Sequence, residues 1–275
     1  MKNIKKINTI GQFFQRRKSQ SKSFSMMGLL LFVFLFSLSS SCEDENVDVL
    51  LQDMAEFDKA YIPVLYYVRQ GEMDNAKRSV FFLNHSWQKV NRKYKNLNPG
   101  NDDWQEAFRM TDAWLSDAYF SIDAIQPKDA YIFLDHVRYQ MMDLRSQHDI
   151  NYYLDDVWEF EASLDLAEEV AVDQMLCLLD YCEFEDIVKD MNEQWRIVEK
   201  AKVDAELFNL DMEDLKVLEN QKKKLKEAII VFNQAVEEME GENLAMTATF
   251  LRQAYLEYLA GFGDFISSKH YYASL

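Results

Sequence analysis

The chain has 275 residues and a formal net charge of −17, with 47 acidic side chains against 30 basic ones. Seven of the basic residues and none of the acidic ones precede position 42, so the rest of the chain carries 23 basic and 47 acidic side chains, a formal charge of −24. Nucleic acids and anionic lipid surfaces bind proteins through clustered positive charge. The composition therefore argues against both of these partners and permits cations or basic partners.

The first 41 residues have the parts of a secretory signal. Basic residues precede an apolar segment, about residues 27–38, which is shorter than the roughly 20 residues that span a bilayer. Three serines then lie directly before Cys42. A basic start, a short apolar segment and small residues before a cleavage site are typical of a signal peptide. Residues 1–41 are therefore predicted to be one.

The cysteine that follows the serines makes this segment resemble the lipobox of bacterial lipoproteins. The resemblance covers residues 1–42 and implies that Cys42 becomes the mature N-terminus and carries fatty acyl chains such as palmitate. Several acyl chains together anchor a protein stably to a membrane. The implied location is the bacterial cell envelope, at the outer membrane, on its periplasmic or surface face. The alternative is an ordinary signal peptide followed by a free cysteine.

Residues 42–50 form an acidic segment behind the proposed anchor. Like charges in a short run favour a solvated tether. An acidic run behind a lipobox also resembles the surface-export tags of some Gram-negative lipoproteins. Both interpretations attach the folded body to a membrane.

The remaining chain is predicted to be all-α, because apolar residues recur at helical spacing and no run of alternating β-branched residues occurs. Gly71, Gly100 and Gly241 separate the apolar-periodic segments, as residues at helix ends do. Pro63 lies inside the first segment and is expected to kink or split it. Eight helices are predicted, followed by a short aromatic tail, at residues 47–69, 74–96, 103–125, 127–147, 152–181, 184–207, 211–239 and 243–262.

Short connections between these helices favour antiparallel neighbours. Residues 79–85 resemble residues 130–136, which favours repeated helical hairpins, with chance similarity among amphipathic helices as the alternative. The predicted architecture is either two units similar to four-helix bundles, residues 51–149 and 150–275, or one elongated stack of hairpins.

Cys177 and Cys182 remain once Cys42 is assigned to lipid. A disulfide between them is compatible with an oxidising envelope. On one continuous helix, however, side chains five residues apart point about 140° apart. A disulfide therefore requires the helix to end between them, and two buried thiols are the alternative.

No metal site and no cofactor are predicted. His85 and His136 occupy equivalent places on two predicted helices, but both fall away from the apolar stripe of their helix. No Glu-x-x-His pattern accompanies either, so the di-iron carboxylate arrangement is missing. The five tryptophans lie at helical spacing among other aromatic residues and are predicted to be core, with an aromatic-lined groove as the alternative.

Charged runs in the helices are predicted to be solvated. The acidic clusters at residues 155–156, 168–169 and 237–242 lack the spacing of a calcium-binding loop. The basic run at residues 222–226 is predicted to lie on the exposed face of its helix, near acidic neighbours.

The sequence contains no nucleophile elbow, phosphate loop, zinc-binding helix motif or Cys-His pair. The protein is therefore not predicted to be an enzyme, although an enzyme that uses paired carboxylates is one hypothesis. The leading hypothesis is a membrane-anchored, non-enzymatic module that binds another envelope protein or a basic ligand. The alternative is a metal- or cofactor-binding helical bundle that serves uptake or electron transfer.

Overall fold

Every regular element in the described part of the chain is a helix. The computed structural model describes residues 41–97, 100–172, 181–238 and 241–273, with the side chains of all of these except 41–48, 181, 241 and 242. The all-α prediction is confirmed. The helices of these ranges are α1 Ser41–Arg69, α2 Met73–Tyr94, α3 Asp102–Asp123, α4 Pro127–Gln147, α5 Tyr153–Val172, α6 Tyr181–Lys200, α7 Met212–Glu238, α8 Gly241–Ala260 and α9 Phe265–Ala273.

Consecutive helices pack as antiparallel hairpins, as predicted: α1 with α2, α3 with α4, α5 with α6, and α7 with α8. In the first hairpin the ring of Phe57 lies 5.7 Å from the ring of Trp87. Helix α5 also packs against α8, and α9 packs against α2. Helix α5 is therefore an inner helix with neighbours on several sides.

Side-chain caps explain where two of the helices begin. Asn101 Oδ1 accepts the backbone N–H groups of Asp103 and Trp104 at 3.0 and 3.2 Å, at the start of α3. Asp211 Oδ1 accepts the backbone N–H of Glu213 at 2.7 Å, at the start of α7. Such caps satisfy N–H groups that lack a partner within the helix. The predicted starts of both helices lie within one residue of the observed ones.

Helix α6 ends at Lys200, earlier than the predicted end near residue 207. Asp204 Oδ1 accepts the backbone N–H groups two and three residues after it, at 3.1 and 3.0 Å. An aspartate that bonds its own backbone in this way competes with continued helix. The turn directs Phe208 into the core, where its ring lies 5.7 Å from that of Tyr152.

The aromatic C-terminal tail forms helix α9, which the sequence analysis did not predict. The ring of Phe265 lies 5.4 Å from that of Tyr66 and 5.6 Å from that of Tyr67, both on α1. A helix of nine residues is marginal alone, so these contacts hold it. The preceding turn approaches α1 closely, because a Cβ atom on Gly263 would lie 2.8 Å from Cγ2 of Ile62.

Helix α1 begins at Ser41 and is assigned without a break through Pro63, so the predicted split does not occur. The predicted acidic tether, residues 42–50, lies within the bounds of this helix. Residues 1–40 of the predicted signal peptide and the side chain of Cys42 lie outside the described part of the chain. Within the described ranges, no helix carries an apolar stretch long enough to cross a membrane.

The described residues of 45–275 share one hydrophobic core and belong to one compact unit. Tyr61 of α1 joins the two predicted halves: its ring lies 6.1 Å from that of Trp158 on α5, and its Oη donates to the carbonyl of Leu134 at 2.8 Å. The predicted units 51–149 and 150–275 share this core, and their division stays a prediction. The prediction of core tryptophans is confirmed for Trp87, Trp104, Trp158 and Trp195.

Candidate functional site

Five buried or half-buried charged side chains meet on helix α5. Glu161 and Asp165 lie four residues apart on this helix, so both side chains leave the same face. Arg69 of α1, Arg138 of α4 and Arg252 of α8 surround them. We call these five residues the α5 ion cluster.

Glu161 is the centre of the cluster, and its side chain has no exposed surface. Its Oε1 lies 3.4 Å from a guanidinium nitrogen of Arg69 and 3.4 Å from one of Arg252. Its Oε2 accepts hydrogen bonds from Arg138 and, at 3.0 Å, from Tyr255 Oη. A buried carboxylate is tolerated when it is paired and hydrogen-bonded in this way.

Asp165 accepts hydrogen bonds from Arg69 and Arg252, and Tyr131 Oη donates to it at 2.5 Å. Burial opposes the charge of Asp165, but the guanidinium groups of Arg252 and Arg69 outweigh burial and lower its pKa below the ordinary value. Arg69 also stacks on the ring of Tyr131, with 3.7 Å from its Cζ to the ring centroid. Asp165 is therefore ionised at neutral pH.

Two further carboxylates border the cluster. Asp135 accepts a hydrogen bond from Arg138, and Glu168 Oε2 accepts one from Arg252 Nε at 2.7 Å. Burial raises the pKa of Asp135 to about 6, although the charge of Arg138 opposes this rise. The cluster and its border therefore hold three guanidinium groups against four carboxylates, and the charges balance when Asp135 takes up a proton.

The cluster joins residues from helices α1, α4, α5 and α8, and its carboxylates form ion pairs with guanidinium groups of the same cluster. The buried Nε atoms of Arg69 and Arg138 are without a hydrogen-bond partner. Removing one member of such a buried pair leaves an uncompensated charge, which costs about 3–5 kcal/mol. The geometry therefore supports a role in fixing how these four helices meet.

A second interior cluster lies nearby. Arg145 binds Asp155 in a bidentate manner, with Nε to Oδ2 at 2.9 Å and Nη2 to Oδ1 at 2.5 Å. Asp58 and Arg145 line a small interior void together with Arg138. Burial raises the pKa of Asp58 to about 6, against the lowering influence of Arg145. Asp58 Oδ2 and Arg145 Nη1 have no hydrogen-bond partner.

The prediction that acidic runs are solvated is wrong at Asp155 and Glu168, because each forms an ion pair with a buried arginine. Apolar periodicity does not mark the arginines or Glu161 as interior residues. One signal was present: Glu161 and Asp165 belong to a helix with apolar residues on nearly all of its faces. Acidic residues on such a helix need partners from neighbouring helices.

A surface cleft with a volume of about 190 Å³ lies between α1 and α2. This volume is below the roughly 300 Å³ at which small-molecule pockets begin. One of its two acidic residues, Asp53, accepts hydrogen bonds from Lys93 and from Tyr94 Oη, both at 2.6 Å, and the charge of Asp53 is thus compensated. The cleft is lined by Asp53, Glu56, Phe57, Phe82, His85, Ser86, Lys89 and Val90.

His85 and His136 both lie on exposed helix faces, as predicted. The ring of His85 lies 5.1 Å from that of Tyr271, and the ring of His136 lies 5.1 Å from that of Trp114. Among the residues with described side chains, no three histidine, cysteine or acidic groups converge as metal ligands do.

Cys182 is exposed, at the second residue of α6. The alternative in which this thiol is buried is therefore wrong. Cys177 lies outside the described residues, and the disulfide between Cys177 and Cys182 stays a prediction.

The basic run of α7 meets acidic neighbours, as predicted. Lys226 lies 2.6 Å from Glu199, and Lys224 lies 3.9 Å from Glu257. Lys222 is half-buried, and its Nζ donates to the backbone carbonyl of Glu199 at 3.1 Å and to that of the preceding residue at 2.9 Å. These carbonyls belong to the last turn of α6, where carbonyl groups lack a partner within the helix.

Comparison with known proteins gives no family model, no curated protein and no solved structure that matches this chain. The functional argument therefore depends on the residues of the chain itself.

Proposed function

We propose that the protein is a lipid-anchored, non-enzymatic binding module of the bacterial cell envelope. The observation that carries this proposal is the order of features at the N-terminus: a basic segment, a short apolar segment, three serines and Cys42. Acyl chains on Cys42 supply the attachment to the membrane. The attachment holds the helical body at the outer membrane, on its periplasmic or surface face.

The helical body supports a binding role through its surface and its interior. The charged groups of the α5 ion cluster are committed to each other, and their role is to fix the packing of helices. Large apolar side chains are exposed on the surface, among them Phe120 and Phe250, with 64% and 55% of their area accessible. Where exposed apolar side chains form a contiguous patch, that patch marks a surface that binds other proteins.

The test compares the native protein with a Cys42→Ser variant. Intact-mass spectrometry of the native protein is expected to show a chain that begins at Cys42 and carries acyl chains, recovered in the membrane fraction. Cys42→Ser is expected to carry no acyl chain and to leave the membrane fraction. A native chain that retains Met1, or one with an unmodified Cys42, contradicts the anchor.

The binding role needs a separate experiment. Chemical crosslinking of the native protein in intact cells is expected to give a discrete complex with an envelope protein. The Cys42→Ser variant serves as the control, because it is no longer held at the membrane. A native protein that yields no crosslinked complex contradicts the binding role.

A further inference from the structure

An ion pair indicates the register of the hairpin formed by α7 and α8. Lys224 Nζ on α7 lies 3.9 Å from Glu257 Oε2 on α8. Seven residues make about two helical turns, so a step of seven along one helix returns to nearly the same face. The two helices are antiparallel, so a step of seven residues forward from Lys224 on α7 corresponds to a step of seven residues back from Glu257 on α8. These steps place Val231 beside Phe250.

These two residues and Met246 form an apolar stripe on the outer face of the hairpin. Met246 precedes Phe250 by four residues and therefore shares its face of α8. The exposed fractions are 42% for Val231, 55% for Phe250 and 66% for Met246. Each square ångström of apolar surface that leaves water contributes roughly 25 cal/mol, so covering this stripe is favourable.

Acidic side chains flank the stripe. Glu257 lies at one end, and the exposed Glu238 lies seven residues beyond Val231 towards the other end. Glu227 precedes Val231 by one turn and is also exposed. Lys224 lies at the same end of the stripe as Glu257 and pairs with it. We call the three apolar residues of the stripe and the three glutamates the α7–α8 face.

Building on the proposed binding function, we propose that the α7–α8 face docks an amphipathic helix of an envelope protein, with apolar side chains on one face and lysine or arginine along its edges. Docking of an amphipathic helix through its apolar face is a recurring mode of recognition. The charge complementarity carries the choice of partner: Glu257 is already paired with Lys224, and the other two glutamates, Glu227 and Glu238, attract a basic helix and repel an acidic one.

The small number of apolar residues sets the strength of this contact. Three apolar side chains make a small interface, and small interfaces are typical of transient complexes. We therefore expect a dissociation constant in the micromolar range, about 1–100 μM. Screening of the glutamates by salt is expected to weaken binding further.

The test uses residues 42–275 with Cys42→Ser, so that the whole compact unit is present and no lipid competes for the probe. The probe is a fluorescein-labelled model helix of about 18 residues, leucine on one face and lysine on the other. A matched probe carries glutamate in place of every lysine. Fluorescence anisotropy is expected to show saturable binding of the lysine probe and at least tenfold weaker binding of the glutamate probe.

Two double variants localise the binding. Val231→Ser with Phe250→Ser is expected to weaken binding of the lysine probe at least tenfold. Phe120→Ser with Ile125→Ser removes side chains that are at least as exposed, 64% and 63%, from the last turn of α3 and from the turn that follows it, and is expected to change binding less than twofold. All four positions are exposed, and unchanged circular dichroism verifies the fold.

Equal losses in the two double variants overturn the inference, because binding is then not confined to the α7–α8 face. Absence of saturable binding overturns it as well. Replacing Glu227 and Glu238 by glutamine is expected to weaken binding and reduce its salt dependence, and an unchanged salt dependence contradicts the role of the glutamates.

The outcome is distinguishable from that of the proposed function. The probe experiment uses a chain without lipid and does not depend on the anchor. A native protein that is acylated and crosslinks to a partner, combined with failure of the probe experiment, removes the α7–α8 face and retains the proposed function.

Discussion

Glu161→Gln is expected to lower the free energy of unfolding by about 2–3 kcal/mol. Glutamine keeps the size of the side chain and removes the charge that faces Arg138, whose side chain is 1% exposed. Arg69 and Arg252 lose contacts of 3.4 Å but keep Asp165, so they contribute little to the cost. Arg138 keeps its hydrogen bond to Asp135, so the loss is that of the charged hydrogen bond from Arg138 to Glu161 together with the bond from Tyr255, about 2–3 kcal/mol.

Equilibrium unfolding in urea, followed by far-UV circular dichroism at pH 7, measures this loss on residues 42–275 with Cys42→Ser. The matched control is Glu168→Gln on the same helix. Glu168 is 24% exposed and bonds Arg252, which keeps Asp165 as a partner. The control is therefore expected to cost about 1 kcal/mol.

A loss for Glu161→Gln no larger than that for Glu168→Gln would refute the reasoning. It would mean that Asp135 alone compensates the charge of Arg138 when Glu161 loses its charge. A change in the urea dependence of the unfolding free energy would indicate a different unfolded or native state, and the comparison is made only when this slope is unchanged.

Three further predictions concern other parts of the chain. The pKa of Asp58 is raised from 3.8 to about 6, so its contribution to stability is complete below pH 3.8 and is lost as the pH rises through 6. The unfolding free energy of the native sequence relative to Asp58→Asn is therefore expected to fall by about 3 kcal/mol between about pH 4 and pH 8 in urea titrations, and a difference independent of pH contradicts this. Lys222→Met keeps the apolar stem but removes the donor to the last turn of α6, and urea unfolding is expected to show a loss of about 1 kcal/mol, against no change for the exposed Lys223→Met. Cys182 is exposed, so a maleimide is expected to modify it in the folded chain, and modification that requires prior reduction indicates the disulfide with Cys177 instead.

Periodicity predicted most of the helices because each of these has one apolar face and is bounded by residues that favour helix ends. Helix α4 matches its predicted bounds, with Pro127 at its first position, where the missing N–H costs nothing. Helix α9 was not predicted because it is short and its aromatic residues have no clear helical period. The end of α6 was placed too late because the decisive feature is a local bond of Asp204 together with burial of Phe208, which only the packed core reveals.

The α5 ion cluster could not be derived from the sequence because its members come from distant segments. A glutamate in a helix is solvated in most proteins, and one sequence does not reveal which arginine faces it. The cluster becomes visible only when four helices are placed around α5. The N-terminal features are the opposite case, since the residues that define them are contiguous.

The spacing of the α5 ion cluster along the chain has a consequence for the order in which the protein folds. Arg69 lies 92 residues before Glu161, and Arg252 lies 91 residues after it. While the chain is being synthesised or exported, Arg69 and Glu161 emerge well before Arg252, so the final arrangement waits for the C-terminal quarter. Contacts between distant segments slow folding, and incomplete chains expose apolar surface that promotes aggregation. Chains that stop before Arg252 are thus expected to be degraded rather than to persist as shorter bundles.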